Sequence, residues 1–173
     1  MTQPFFDEMY KNEYKQFVSN RLFDRLQYIE SEMGFLNPFQ SKNEIYSCLK
    51  ISNKMSLLHM DIRPDNILVL QGEIKSLIDW TYAMVGDPYF ELCRIQEFDF
   101  SNDYKLFDEQ FIKGYENYER LRNNTLTELI YHLDASVMVL ILFYENEQFK
   151  DRLDKQAIHV KEIYKQISDI LNE

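Results

Sequence analysis

The stretch His59-Met60-Asp61-Ile62-Arg63-Pro64-Asp65-Asn66 decides how this chain is read. It runs on through Ile67-Leu68-Val69-Leu70, Gln71-Gly72-Glu73 and Ile74-Lys75-Ser76-Leu77-Ile78 to Asp79-Trp80. Pro64 lacks a backbone N–H and does not fit a helix interior, so residues 59–66 form a loop. The two β-prone runs that follow, parted by a Gly-containing break, read as a hairpin. Asn66 leads into the first strand and Asp79 closes the second, so a hairpin brings these two side chains back near each other. A carboxylate and an amide oxygen gathered in this way suit hard Mg2+ rather than zinc. Phosphoryl transfer to a hydroxyl requires such oxygens around a cation, and a group that accepts or orients the hydroxyl proton. The middle of the chain supplies groups of these types at fixed spacings, with Asp61 and Asn66 five residues apart.

Outside this segment the pattern is helical. Leu22, Leu26, Ile29 and Met33 form one stripe of a helix expected from about Phe5 to Met33, stopped by Gly34 with Pro38 soon after. Ser41-Lys42-Asn43-Glu44 reads as a capping box that opens a shorter helix running to about Lys50. After Pro88 the helical spacing returns with Phe107, Phe111, Tyr115 and Tyr118. A wide stripe of Leu126, Leu129, Ile130, Leu133, Val137, Leu140, Ile141 and Tyr144 suits a central helix. A last stripe takes in Leu153, Ala157, Val160, Tyr164, Ile167 and Leu171. The fold class expected is mainly α (α+β), a single domain over 1–173 with one small β-hairpin.

Thirteen Phe and twelve Tyr provide ample material for a packed core, and only four Gly and four Pro interrupt the chain. The formal charge of −10, from 29 acidic and 19 basic residues, offers no basic stripe, so nucleic acid is not an expected partner. Cys48 and Cys93 lack the spacing of a redox or zinc motif. The N-terminus has no signal-peptide pattern. The apolar run Ala135–Tyr144 is too short to span a bilayer, so no membrane partner and a cytoplasmic location are expected.

The segment from His59 to Asn66 resembles the catalytic loop of kinases. It is most similar to that of the aminoglycoside phosphotransferase family, which also includes macrolide, choline and other small-molecule kinases. Leu77-Ile78-Asp79-Trp80-Thr81-Tyr82-Ala83-Met84-Val85-Gly86-Asp87-Pro88 is similar to that family's metal-binding segment and the Gly-Asp-Pro after it. The resemblance implies the C-terminal lobe of the protein-kinase-like fold, with a catalytic loop over 59–66, a metal-binding hairpin over 67–80 and a helical region over 88–173. It also implies transfer of the ATP γ-phosphate to a hydroxyl of a small substrate, with Mg2+ as the cation.

Carried over by residue, Asp61 would be the catalytic carboxylate, and Asn66 and Asp79 would hold Mg2+ on the nucleotide phosphates. Arg63 would bring positive charge to the transferred phosphate. His59 would brace the loop, and Asp65 would be a solvated loop residue. Glu91 stands where relatives usually carry Asp, as a loop support on a longer arm. Asp87, before Pro88, is a structural support that reads as the cap of the helix starting there. Asp99, Asp103, Asp108 and Glu109 could face a cationic acceptor or simply form a solvated face. The 58 residues before His59 read as helices, and Gly34 is their only glycine, so the ATP-binding N-terminal lobe is expected to be absent. The alternative is a catalytically silent lobe that acts as an interaction module or needs a separate N-lobe. The surface around Ile67, Leu68 and Trp80 is expected to be apolar and open to self-association.

Overall fold

A computed structural model describes residues 3–51, 55–102, 105–114 and 125–172. The chain divides into two compact units, one made of residues 1–51 and 123–173 and the other of residues 52–122. Tyr115, Tyr118 and Asp103 lie outside the described residues.

The first unit is helical. Helix α1 spans Gln3–Met33, and its stripe of Val18, Leu22, Leu26 and Ile29 is fully buried. Each such side chain contributes about 1.5–3 kcal/mol on leaving water. Gly34 takes a left-handed φ of 69°, which its missing Cβ permits, and ends the helix as expected. The N–H groups of Gly34 and Phe35 then reach back to Glu30 O and Ile29 O. Helix α2, Lys42–Cys48, is capped by the Ser41 hydroxyl, which accepts from Glu44 N. The capping box is shifted: the Glu44 carboxylate takes Gln40 N at 2.7 Å, one residue before the cap. The helix also stops two residues short of Lys50, where Thr127 Oγ1 instead accepts the Lys50 N–H at 2.8 Å.

Two long helices complete this unit. In the numbering used here they are α5, Thr125–Glu145, and α6, Lys150–Leu171. Helix α5 is buried on nearly all sides, with Ile130, Leu133, Val137 and Leu140 at 0% exposure. It carries the apolar run well beyond Ala135–Tyr144. The segment Leu126–Glu145 is long and apolar enough to cross a bilayer, yet two thirds of its most apolar window is buried inside the molecule, as in a core helix. Helix α6 packs against it and buries Val160, Ile163, Tyr164 and Ile167. At the heart of the unit lies the fully buried Asp134. Arg21 grips its carboxylate with two hydrogen bonds of 3.1 and 2.7 Å, and Arg25 adds one of 2.9 Å and another to Asp134 O.

The second unit contains the quoted segment. The hairpin forms as expected, from β2 (Ile67–Leu70) and β3 (Glu73–Leu77) in antiparallel register, with Ile67 opposite Leu77. Gln71 and Gly72 both take positive φ, as a tight two-residue turn requires. A second sheet was not expected. Strand β1, Ser56–Leu58, pairs with β4, Met84–Gly86, so the architecture is mainly helical with two small antiparallel sheets rather than one hairpin. Three-residue strands more than twenty positions apart leave no local periodicity to read. Strand β1 feeds directly into His59, and β4 feeds through Asp87 into helix α3, Pro88–Asn102. Phe107 precedes rather than joins the next helix, α4 (Glu109–Gly114), although its ring stacks near Phe111 at 5.7 Å. Asp108 begins α4 by accepting from Gln110 N and Phe111 N.

Candidate active site

The loop from His59 to Asn66 is held by three sets of hydrogen bonds, each traceable to a sequence feature. The first comes from α3. Glu91, one turn into that helix and 6% exposed, directs Oε1 at two loop amides, His59 N at 2.6 Å and Met60 N at 2.8 Å. Met60 sits at φ 66°, a left-handed conformation that costs a bulky residue about 1–3 kcal/mol. Hydrogen bonds to a charged acceptor contribute about 1.5–3 kcal/mol each, so the Glu91 clamp outweighs the strain it imposes. Asp87 caps the same helix, with Oδ1 accepting Tyr89 N at 3.0 Å.

The second set runs through His59, which is 2% exposed. Its Nε2 lies 2.9 Å from Ile78 O, and its Nδ1 lies 3.3 Å from Asp61 N. A carbonyl only accepts and an amide N–H only donates, so Nε2 carries the proton and Nδ1 accepts. The ring therefore ties the loop to the end of β3, and it packs against Trp80 with centroids 4.6 Å apart. Trp80 donates its indole N–H to Leu77 O, closing the same corner.

The third set is internal. Pro64 begins a single 3-10 turn, Pro64–Asn66, that aims the Asn66 side chain back at the loop. Asn66 Nδ2 donates to Asp61 O and Asp61 Oδ2, both at 2.8 Å. Arg63 Nε, itself buried and without a hydrogen bond among the described residues, stands 3.4 Å from the same Oδ2 as an ion pair. With its NH2 group held by Asp61, Asn66 presents its carbonyl Oδ1, which has no partner among the described residues. Asp61 Oδ1 is likewise without a partner there, and neither oxygen belongs to the buried unpaired polar atoms. The loop thus offers one carboxylate oxygen that can take a proton and one amide oxygen that can take a cation.

Asp79 lies two residues past the end of β3. Ile78 N donates to Asn66 O at 3.0 Å, so the hairpin ladder runs to the residue before Asp79. Asp79 adopts a left-handed φ of 62°, which a short polar side chain tolerates, and caps the 3-10 turn Trp80–Tyr82. Its Oδ1 accepts the Thr81 hydroxyl at 2.6 Å and the Thr81 amide at 3.4 Å. These two bonds are the main reason its carboxyl is held below the ordinary aspartate value, and the positive Arg63 nearby adds to the effect. Oδ2 has no partner among the described residues. Asn66 Oδ1 and Asp79 Oδ2 are hard oxygen donors of the kind Mg2+ takes, so the donor set fits that ion. Among the described residues, no group of three or more His, Cys, Asp or Glu side chains is placed to hold a metal ion.

The residues singled out from the sequence are therefore placed as follows. His59, Asp61, Arg63 and Asn66 share one bonded loop, Glu91 holds its backbone, Asp79 follows Ile78, whose N–H bonds Asn66 O, and Asp87 starts α3. Asp65 is exposed. Of the acidic residues after the hairpin, Asp99 Oδ2 accepts Phe107 N and Asp108 caps α4. Both therefore have backbone partners of their own. Thr81 escapes sequence reading, although an Asp followed two residues later by Thr marks a turn in which the hydroxyl can reach the carboxylate. Around the site the hairpin is apolar and open, with Leu68 49% and Trp80 47% exposed.

Comparison with known proteins bears on this geometry. The model of the phosphotransferase enzyme family matches residues 6–123, a stretch that contains every residue of the site. The chain is 31% identical over 121 residues to the protein LicA homolog of Mycoplasma capricolum subsp. capricolum (strain California kid), which covers 66% of this chain and 50% of that protein. The chain thus spans about half the length of the curated relative it matches. No solved structure matches it.

Proposed function

Because the chain belongs to the phosphotransferase enzyme family, in its aminoglycoside phosphotransferase and choline-kinase-like group, we propose that it carries the catalytic-loop and cation-binding part of a small-molecule kinase. The reaction is transfer of the ATP γ-phosphate to a substrate hydroxyl in the cytoplasm, on a C-terminal lobe of the protein-kinase-like type. The observation that carries this reading is the Asn66 amide bridging Asp61 O and Oδ2. That one contact orients the proton acceptor and turns the amide oxygen outward.

In the proposed step Asp61 Oδ1 receives the hydroxyl proton as the hydroxyl oxygen bonds to the γ-phosphorus. The bond from that phosphorus to the bridging oxygen breaks, and ADP leaves. Asn66 Oδ1 and Asp79 Oδ2 would hold Mg2+, which when bound neutralises charge on the phosphates. Arg63, paired with Asp61 at 3.4 Å, places a positive charge beside the developing anion. His59 and Glu91 hold the loop still, and positioning of this kind supplies most of the rate in phosphoryl transfer.

The test is a phosphorylation screen of the gene product against hydroxylated aminoglycosides, macrolides, choline and sugars, with ATP and Mg2+. Label transfer to one acceptor class that Asp61→Asn lowers at least about a hundredfold is the expected result, the usual scale for loss of an acid–base group. Transfer that survives Asp61→Asn undiminished would remove Asp61 from the reaction.

A further inference from the structure

We infer that Thr81 is a positioning residue for the cation site: its hydroxyl locks the Asp79 carboxylate so that Oδ2 alone is presented to the metal. The inference rests on the reading of Asp79 as a cation ligand and adds a residue to it.

Asp79 is an exposed side chain at the end of a strand, and its backbone continues into a left-handed turn rather than a ladder. An exposed carboxylate without hydrogen bonds would exchange among staggered χ1 wells and rotate broadly about χ2. Among the described residues, the hydrogen bonds to the Asp79 side chain come from Thr81. The hydroxyl donates at 2.6 Å, and the amide supports the same oxygen at 3.4 Å. Two donors on one oxygen define both χ angles and leave the other oxygen as the free acceptor. The arrangement parallels the one at Asn66, where Asp61 occupies the amide's NH2 and leaves the oxygen free. Each donor of the pair is therefore pinned at one atom and open at the other.

Thr81 is itself exposed, and among the described residues its hydroxyl bonds to Asp79. A Val at this position keeps the β-branched shape and the backbone amide but loses the hydroxyl. A Ser keeps the hydroxyl and loses only a methyl.

The experiment titrates the full chain with Mn2+ and reads bound ion by electron paramagnetic resonance, for wild type, Thr81→Val, Thr81→Ser and Asp79→Asn. Circular dichroism confirms that each variant is folded. Thr81→Val is expected to weaken the Asp79-dependent site about three- to tenfold, the effect of one hydrogen bond, with Thr81→Ser restoring it. Wild-type affinity in Thr81→Val, alongside loss in Asp79→Asn, would overturn the role of Thr81 and leave Asp79 a ligand. Equal loss in Thr81→Val and Thr81→Ser would also overturn it, because the hydroxyl would then not be the agent. Unchanged binding in Asp79→Asn would overturn the ligand reading, and this inference with it.

Discussion

Replacing Glu91 with Ala should loosen the catalytic loop selectively. Its Oε1 is the acceptor for both His59 N and Met60 N, and both residues are 2% exposed. Removal leaves two buried donors unpaired, at about 1–3 kcal/mol each. Two effects reduce that figure. The space left by the side chain can admit a water to meet one donor, and Met60 can leave its left-handed conformation, recovering about 1–2 kcal/mol. The net loss is about 2–3 kcal/mol, confined to the loop. In amide hydrogen exchange this corresponds to a rate increase of roughly 30- to 150-fold at residues 59 and 60. Glu91→Gln retains a carbonyl oxygen in the same place and loses only the charge, so its effect should be about fivefold. Unchanged exchange at His59 and Met60 in Glu91→Ala would refute the clamp. A uniform acceleration along α3 would show instead that Glu91 supports the helix.

Two further expectations concern the helical unit. Asp134→Ala strips the acceptor from Arg21 and Arg25 and should destabilise by about 3 kcal/mol in urea unfolding, the low end for a broken buried ion pair. It falls at the low end because the two arginine side chains are 20% and 21% exposed and can partly rehydrate; a loss below about 1 kcal/mol would contradict the account. Tyr164 has a sealed hydroxyl with no partner among the described residues, and burial pushes its ionisation well above the ordinary tyrosine value. A raised folded-state value means that the native chain keeps a proton the unfolded chain gives up. Its contribution is therefore intact below about pH 10 and is lost as pH rises further. Alkaline unfolding should be less steep in Tyr164→Phe, and an identical pH profile for both proteins would argue against a buried phenol.

The site is legible in the sequence to the extent that it is local. Asp61 and Asn66 are tied by a proline-started turn, and the hairpin returns the chain from Asn66 to Ile78, beside Asp79; the register shift between Leu68 and Val69 is not legible in the sequence. The ends of α1 and the buried face of α5 are legible for the same reason, since helical period and a terminal glycine act within a few residues. What escapes depends on partners far along the chain. The β1–β4 pairing joins short strands on either side of the hairpin, and nothing in Ser56–Leu58 announces its mate. Asp134 sits beside an apolar run, and its carboxylate is met by Arg21 and Arg25, 113 and 109 residues away. The left-handed Met60 is likewise invisible until Glu91 is seen to hold it. The Thr81 bond is local, yet a threonine after Asp-Trp has several turn conformations open to it, and the sequence does not choose among them.

The claim at the centre of the account is that Asn66 and Asp79 are ligands of one cation beside Asp61. Side-chain amide NMR of the 15N-labelled chain, titrated with Mn2+ in the presence of ATP, tests it most directly. Mn2+ relaxes nuclei near it, so the Asn66 side-chain NH2 signal should broaden first and should recover in Asp79→Asn. Broadening that begins at other asparagines and reaches Asn66 no sooner than the rest, or that persists at Asn66 in Asp79→Asn, would contradict the account.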